Sequence, residues 1–192
     1  IYEHIIYDNI EFTNIAQIEP KLKKRVLICN GVSKSYAMTG WRLGYAAGNQ
    51  TLISAMNKVQ SQSNTHASSI SQAAAVYALN SNYNIISDRM RVFQRRRNLL
   101  VSYIQKCVGL SCIKPQGAFY IYASCADIIG KTTPDNKIIK TDVDFVSYLL
   151  KTKGIATVPG SAFGIPLYIR ISYATSTEIL KIACTRIQDA CK

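Results

Sequence analysis

Histidine is scarce in this chain, and acid is scarce beside base. Its 192 residues include two histidines, His4 and His66, and 11 carboxylates against 23 lysines and arginines, for a net charge of +12. None of the six cysteines falls in a CxxC pair, so a zinc centre lacks both the ligands and the spacing, and no metal is expected. No unbroken apolar run approaches the roughly 18 residues of a membrane-spanning helix. No basic-then-apolar leader opens the chain, and no low-complexity tract interrupts it. What remains is a globular chain long enough for one good core or two small ones. It begins with Ile1, and IYEHIIYDNI reads as the inside of a strand, so the chain is expected to be a fragment.

The surplus of base gathers at Lys21-Leu22-Lys23-Lys24-Arg25 and between Arg89 and Arg97. Such charge can serve nucleic acid or an anionic surface. Here the basic residues are not interleaved with aromatics as a single-strand binder would have them. Solvated helix and loop surface is the ordinary reading, and no nucleic-acid or membrane partner is expected. Cys29, Cys107, Cys112, Cys125, Cys184 and Cys191 are scattered, mostly among apolar neighbours. They read as buried thiols, which suits a reducing, cytoplasmic compartment.

The stretch that organises the chain is NGVSKSYAMTGWRLGY, Asn30 to Tyr45. Before it, Val26-Leu27-Ile28-Cys29 is a short apolar run of the kind a strand buried on both faces shows. Lys34 is thus expected in a loop just past an inner strand, where open α/β sheets bind ligands. Desolvated there, its amine can lose its proton and attack a carbonyl, the requirement for a Schiff base. Arg42 offers a planar fork for a phosphate, and Gly31, Gly40 and Gly44 let backbone come close to it. By residue type alone, a solvated surface lysine is the commoner reading.

Taken whole, Gly31-Val32-Ser33-Lys34, Ala37-Met38, Gly40 and Arg42-Leu43-Gly44 resemble the pyridoxal-phosphate attachment motif of class I aminotransferases. SKSYAMTGWRLGY is most similar to the bacterial-type aspartate aminotransferase branch. The resemblance runs from Ile1 to Lys192. It implies an α/β fold: the later part of the large pyridoxal-phosphate-dependent transferase domain, followed by a small α+β C-terminal domain. It also implies that Lys34 carries the cofactor and that Arg42 anchors its phosphate. In IYEHIIYD, Tyr2 would hydrogen-bond the phenolic oxygen. The pyridine-nitrogen aspartate of the family would lie two residues before Ile1. The phosphate-binding serine usual three residues before the lysine is Gly31 here, so that hydroxyl contact is lacking.

Along the chain, Ile1 to Tyr7 has strand character and Leu43 to Ala47 is a further strand. Helical patterns cover Leu52 to Gln62 and Ser68 to Leu79, with Asn64 and His66 in the polar loop between them. A long helix follows, roughly Asn84 to Cys107, with Met90, Phe93, Leu100, Ile104 and Cys107 on its apolar stripe. The domain boundary is placed in it near Arg95, giving residues 1–95 and 96–192. Leu110 to Ile113 and Ala118 to Ala123 read as strands about the turn Lys114-Pro115-Gln116-Gly117. Thr141 with Asp144 can cap a helix from Asp142 to Lys153 whose apolar positions are Phe145, Val146, Leu149 and Leu150, and Gly154 stops it. Ile155 to Val158 is a short strand. Leu167 to Tyr173 alternates, with Leu167, Ile169, Ile171 and Tyr173 on one face and Arg170 on the other. Thr175 with Glu178 reads as the capping box of a last helix bearing Ile179, Ile182, Ala183 and Ile187.

YIRISYATS resembles the family's C-terminal segment, whose arginine grips the substrate α-carboxylate; Arg170 takes that role. A bidentate fork fixes the carboxylate plane, which a lysine cannot do. The expected function is therefore transfer of an amino group between an amino acid, with aspartate preferred, and a 2-oxo acid by a homodimer of the full-length protein, the fragment alone being inactive. Two alternatives stand beside it. One is another enzyme of the same fold: an aromatic, alanine or prephenate aminotransferase, or a carbon–sulfur lyase. The other is a non-catalytic basic binding domain.

Overall fold

The computed structural model describes residues 1–81 and 84–192. The chain forms two compact units, Ile1–Met90 and Arg91–Lys192.

In the first unit, Asn14 opens the short helix α1 (Ile15–Ile18) with a capping box closed by Gln17. A 3-10 helix, Pro20–Lys24, carries the first basic cluster. Strand β1 (Ile28–Gly31) pairs antiparallel with β2 (Gly44–Ala47), in the register Ile28 to Ala47 and Gly31 to Gly44. A glycine pair closes that ribbon because the backbones meet there: a Cβ on Gly31 would lie 3.0 Å from the Leu43 carbonyl oxygen and 3.2 Å from Gly44 Cα. Asn49 then caps α2 (Gln50–Ser63), its side-chain oxygen accepting from the Thr51 N–H at 2.9 Å. After a loop holding Asn64 and His66 comes α3 (Ser69–Asn80).

Two expectations fail in this unit. Ile1 to Tyr7 is not a strand; Glu3 and His4 lie in a turn, and Ile6 alone makes a bridge. A strand needs a continuous partner, and alternation in the sequence cannot supply one. Nor is β1 buried on both faces: Ile28 and Cys29 are exposed, and β2 is its only partner among the described residues. The apolar run is real, but this chain does not cover it. The helices share the property. None of the described side chains of α2 is buried, and Val59, Ile70 and Tyr77 are among the most exposed apolar groups.

Helix α4 (Asn84–Ile104) contains the division between the units. The second unit continues from it with β3 (Ser111–Cys112), β4 (Tyr120–Ser124), α5 (Asp142–Lys153), β5 (Val158–Pro159), β6 (Tyr168–Ser172) and α6 (Thr177–Ala190). This is the expected order of strand, strand, helix, strand, strand, helix. The four strands form one antiparallel sheet ordered β3-β4-β6-β5. One face is apolar: Ile121 and Ala123 on β4 stand opposite Ile171 and Ile169 on β6, all buried. Helix α5 packs against β5, β6 and α6, with Phe145 and Leu149 wholly enclosed. Each such side chain contributes roughly 1.5–3 kcal/mol on burial. Leu100 and Ile104 of α4 are buried as the stripe predicted, and Phe93 stacks on Phe119 with centroids 5.6 Å apart.

Four details differ from expectation here. Leu167 is exposed with φ +63°, so the buried alternation starts at Ile169. Helix α6 is capped by Ser176, whose hydroxyl accepts from the Ile179 N–H, and not by Thr175. That places Leu180, Cys184 and Ile187 inside and leaves Ile179 and Ile182 exposed. Leu150 of α5 is exposed as well. Finally, Arg97 belongs to the basic cluster read as solvated yet is completely buried. Its guanidinium donates to the Pro115 carbonyl at 2.9 Å and to the Asn98 side-chain oxygen at 2.9 and 3.1 Å, which offsets the cost of enclosing a charge. Among the thiols, burial and then the charge of Asp142 push Cys125 up to about 11, and burial followed by Cys107 does the same for Cys184.

Candidate active site

Lys34 lies three residues past the end of β1, in a turn spanning Ser33 to Tyr36, and is half-buried. The loop is closed by its own backbone: the Ala37 N–H donates to the Lys34 carbonyl at 3.1 Å, and the Met38 N–H to the Val32 carbonyl at 3.4 Å. Val32 is fully enclosed and Ser35 nearly so, which fixes the turn from below and sets the lysine stem on a firm base. Asn30 ties the start of the loop. Its side-chain oxygen accepts from the Gly31 N–H at 2.8 Å while its amide donates to Glu3 at 2.5 Å. The ring of His4 meets that of Tyr36 edge-on at 6.2 Å. Tyr2, half-buried, precedes these two contacts, and its carbonyl accepts from the Ile5 N–H.

Arg42 ends the 3-10 helix Thr39–Trp41 in the left-handed conformation, φ +52°. That conformation is uncommon for a long side chain. It reverses the chain so that β2 can return along β1. The Arg42 side chain is exposed, and its Nη1 donates to the Thr39 carbonyl at 2.9 Å, which leaves most of its donor fork open. The first unit thus joins an amine and a guanidinium through one short, hydrogen-bonded loop beside a glycine-lined ribbon. Such a donor set suits an aldehyde bearing a phosphate. It fits pyridoxal phosphate.

Arg170 belongs to the second unit. It is the middle residue of β6, opposite Tyr122 on β4 and Val158 on β5, and points away from the buried isoleucines. Two rings flank it: Cζ lies 4.6 Å from the Tyr120 centroid and 4.4 Å from that of Phe163. No carboxylate pairs with it among the described residues, although it is half-buried. A guanidinium between aromatic faces keeps its edge donors for an incoming planar anion. The string YIRISYATS pointed to Arg170. Phe163, which packs on it, carried no signal of its own in the sequence, since its contact is made across 7 residues.

No helix among the described residues is long and apolar enough to cross a membrane. No group of three or more histidine, cysteine or acidic side chains among them is placed to hold a metal ion.

Curated relatives match the chain along its entire length. An aspartate aminotransferase of Rhizobium meliloti (strain 1021) is 54% identical over 191 residues, covering 100% of this chain and 47% of that protein. A probable aspartate/prephenate aminotransferase of Rhizobium leguminosarum bv. phaseoli is 51% identical, covering 100% and 48%. The chain therefore spans about half the length of these relatives. Among solved structures, the Rhizobium meliloti aspartate aminotransferase superposes with a TM-score of 0.96 at 54% identity, covering 100% of this chain and 48% of that one. An aromatic aminotransferase of Pyrococcus horikoshii OT3 gives 0.89 at 36% identity, covering 98% and 48%. With the sequence model of class I and II aminotransferases matching residues 1–187, the chain belongs to that family.

Proposed function

We propose that this chain is the Lys34- and Arg170-bearing part of a pyridoxal-phosphate-dependent aminotransferase that moves an amino group between an amino acid and a 2-oxo acid, with aspartate as the favoured donor. The observation that carries the reading is the half-buried Lys34 in a turn closed by its own backbone beside the β1–β2 ribbon. Aspartate is favoured because the relatives at 54% and 51% identity are named for it.

Bound pyridoxal phosphate supplies an aldehyde for an amine and a conjugated ring that takes up negative charge from the substrate carbon. Lys34 Nζ would hold the cofactor through its aldehyde and, when free, would serve as the base that takes up the substrate α-proton and the acid that gives it back. Arg42 holds the phosphate through the donors its Thr39 contact leaves open. Gly31 keeps the floor of the loop low, at the cost of the hydroxyl that a serine would offer there. The Tyr2 hydroxyl would be the donor to the cofactor's phenolic oxygen and would tune its basicity. Arg170 grips the α-carboxylate in a bidentate pair, and so orients the bond to be broken.

Residues 1–95 form the later part of the cofactor domain in this reading and 96–192 the small domain, within a cytoplasmic homodimer. The described cysteines are all free thiols, which is compatible with that compartment. A second reading keeps the chemistry and changes the side chain accepted. It draws on the prephenate in the name of one relative and on the aromatic aminotransferase structure.

Borohydride reduction in the presence of pyridoxal phosphate tests the proposal in the whole protein that carries this chain. One labelled peptide is expected, the one containing Lys34, and Lys34→Ala removes it. Label spread over the exposed lysines at 21, 23 and 24, or no label at all, would sink the cofactor reading and bring the basic binding domain forward.

A further inference from the structure

Phe163 lies at the end of a four-residue 3-10 helix, Gly160–Phe163, which at first sight is an exposed loop. It is bound at both ends. Asp142, the first residue of α5 and only 2% exposed, accepts a hydrogen bond from the Ser161 N–H at 2.7 Å. At the far end, the Gly164 N–H donates to the Ser161 carbonyl and the Ile165 N–H to the Gly160 carbonyl, with Gly164 at φ +74°. No cation pairs with Asp142 among the described residues, so its charge is held by backbone dipole alone. Enclosing a carboxylate is costly unless it is hydrogen-bonded or paired, and here the Ser161 N–H supplies the bond.

What this bond secures is the ring over Arg170. With the Tyr120 ring at 4.6 Å and the Phe163 ring at 4.4 Å, the guanidinium is packed against two aromatic rings. Tyr122, directly across the strand pair from Arg170, meets Phe163 edge-on at 6.2 Å and braces that ring in turn. An arginine carries considerable rotamer entropy, so ordering its fork before an anion arrives lowers the cost of binding.

We propose that Asp142 is a positioning residue for Arg170: by tethering the Gly160–Phe163 helix it holds Phe163 on the guanidinium, and the two rings present the Arg170 fork edge-first to a carboxylate. The proposal rests on the reading of Arg170 as the carboxylate grip. It assigns work to two residues, Asp142 and Phe163, that touch no substrate carboxylate themselves.

The test is arginine Nε–Hε NMR on the whole protein that carries this chain, with Arg170→Lys identifying the resonance and succinate as the carboxylate probe. In the wild type the Arg170 Hε signal is displaced by the two ring currents and moves saturably with succinate. Phe163→Leu is expected to remove the Phe163 part of the displacement and weaken succinate binding about tenfold, whereas Phe163→Tyr retains both. Asp142→Ala reproduces the Leu result without touching Arg170, and Asp142→Asn, which keeps an acceptor for the Ser161 N–H, restores the wild-type signal. If Asp142→Ala lowers the melting midpoint yet leaves the Arg170 signal and succinate affinity unchanged, Asp142 is merely structural and the proposal is overturned. Should that variant not fold, Phe163→Leu against Phe163→Tyr decides the clamp directly. A wild-type chain whose Arg170 signal shows the ring currents but ignores succinate would overturn the carboxylate reading and leave the clamp standing.

Discussion

At the scale of single residues, the second unit is built around a position that tolerates nothing but glycine. A Cβ on Gly160 would stand 2.1 Å from the Ile165 carbonyl oxygen and 2.8 Å from Tyr168 Cβ, and neither neighbour is the tip of a flexible side chain. Gly160→Ala is therefore expected to cost about 1–3 kcal/mol of stability, read as a lower midpoint in urea at unchanged slope. Full stability in the alanine variant would show that the loop can open without consequence. Residues of this kind divide sharply in how well the sequence announces them. Lys34, Arg42 and Arg170 each sit inside a contiguous string whose wording points to them. Asp142 and Phe163 do not, because their significance lies in distance through space. Arg97 is the extreme case: one more arginine in a basic run, it proves to be wholly enclosed and bonded to Pro115.

At the scale of elements, helices were easier to read than strands. The capping box of α5 is present as the sequence predicts: Asp144 N–H donates to the Thr141 hydroxyl at 3.1 Å, and the Asp144 carboxylate accepts from the Thr141 N–H at 3.0 Å. Gly154 ends the helix in the left-handed conformation, φ +64°. The Thr141 hydroxyl first, and the Lys140 N–H next, hold the Asp144 carboxyl below its ordinary 3.8. A carboxyl with a depressed native pKa stabilises the fold fully above its unfolded value, and that contribution fades as pH falls through the native one. The difference in melting midpoint between wild type and Asp144→Ala should thus be constant near neutrality and shrink once pH drops below about 3.8. An unchanged difference at pH 3 would exclude the linkage. Strands were harder, because pairing depends on partners that local sequence does not name. Val26 to Cys29 has the composition of an inner strand, yet β1 has β2 alone beside it among the described residues. In α6 the cap is Ser176 and not Thr175, and Leu180 and Cys184 face inward with Ile187 while Ile179 and Ile182 stay exposed.

For the molecule as a whole, the contrast between the units is one of coverage. The sheet of the second unit has a buried face under α5, whereas no described side chain of α2 in the first unit is buried. Local opening free energies follow such differences. Native-state hydrogen exchange should find the amides of β4 and β6 slower than those of α2 by on the order of a hundredfold or more. Equal protection in α2 and in the β4–β6 pair would mean that unit one is held by something beyond its own side-chain burial. Composition alone pointed to a globular chain with an apolar interior. It could not tell which apolar surfaces this chain would leave open, since a residue type does not record who covers it.

The tight return from Ile165 to Gly160 also bears on how such a protein can vary over generations. A loop closed by its own carbonyls around a glycine without spare room has a fixed residue count, and adding or deleting one position would carry Phe163 off its mark. Lineages that lengthen or shorten this unit must do so elsewhere. The stretch from Pro159 to Leu167 has to keep time.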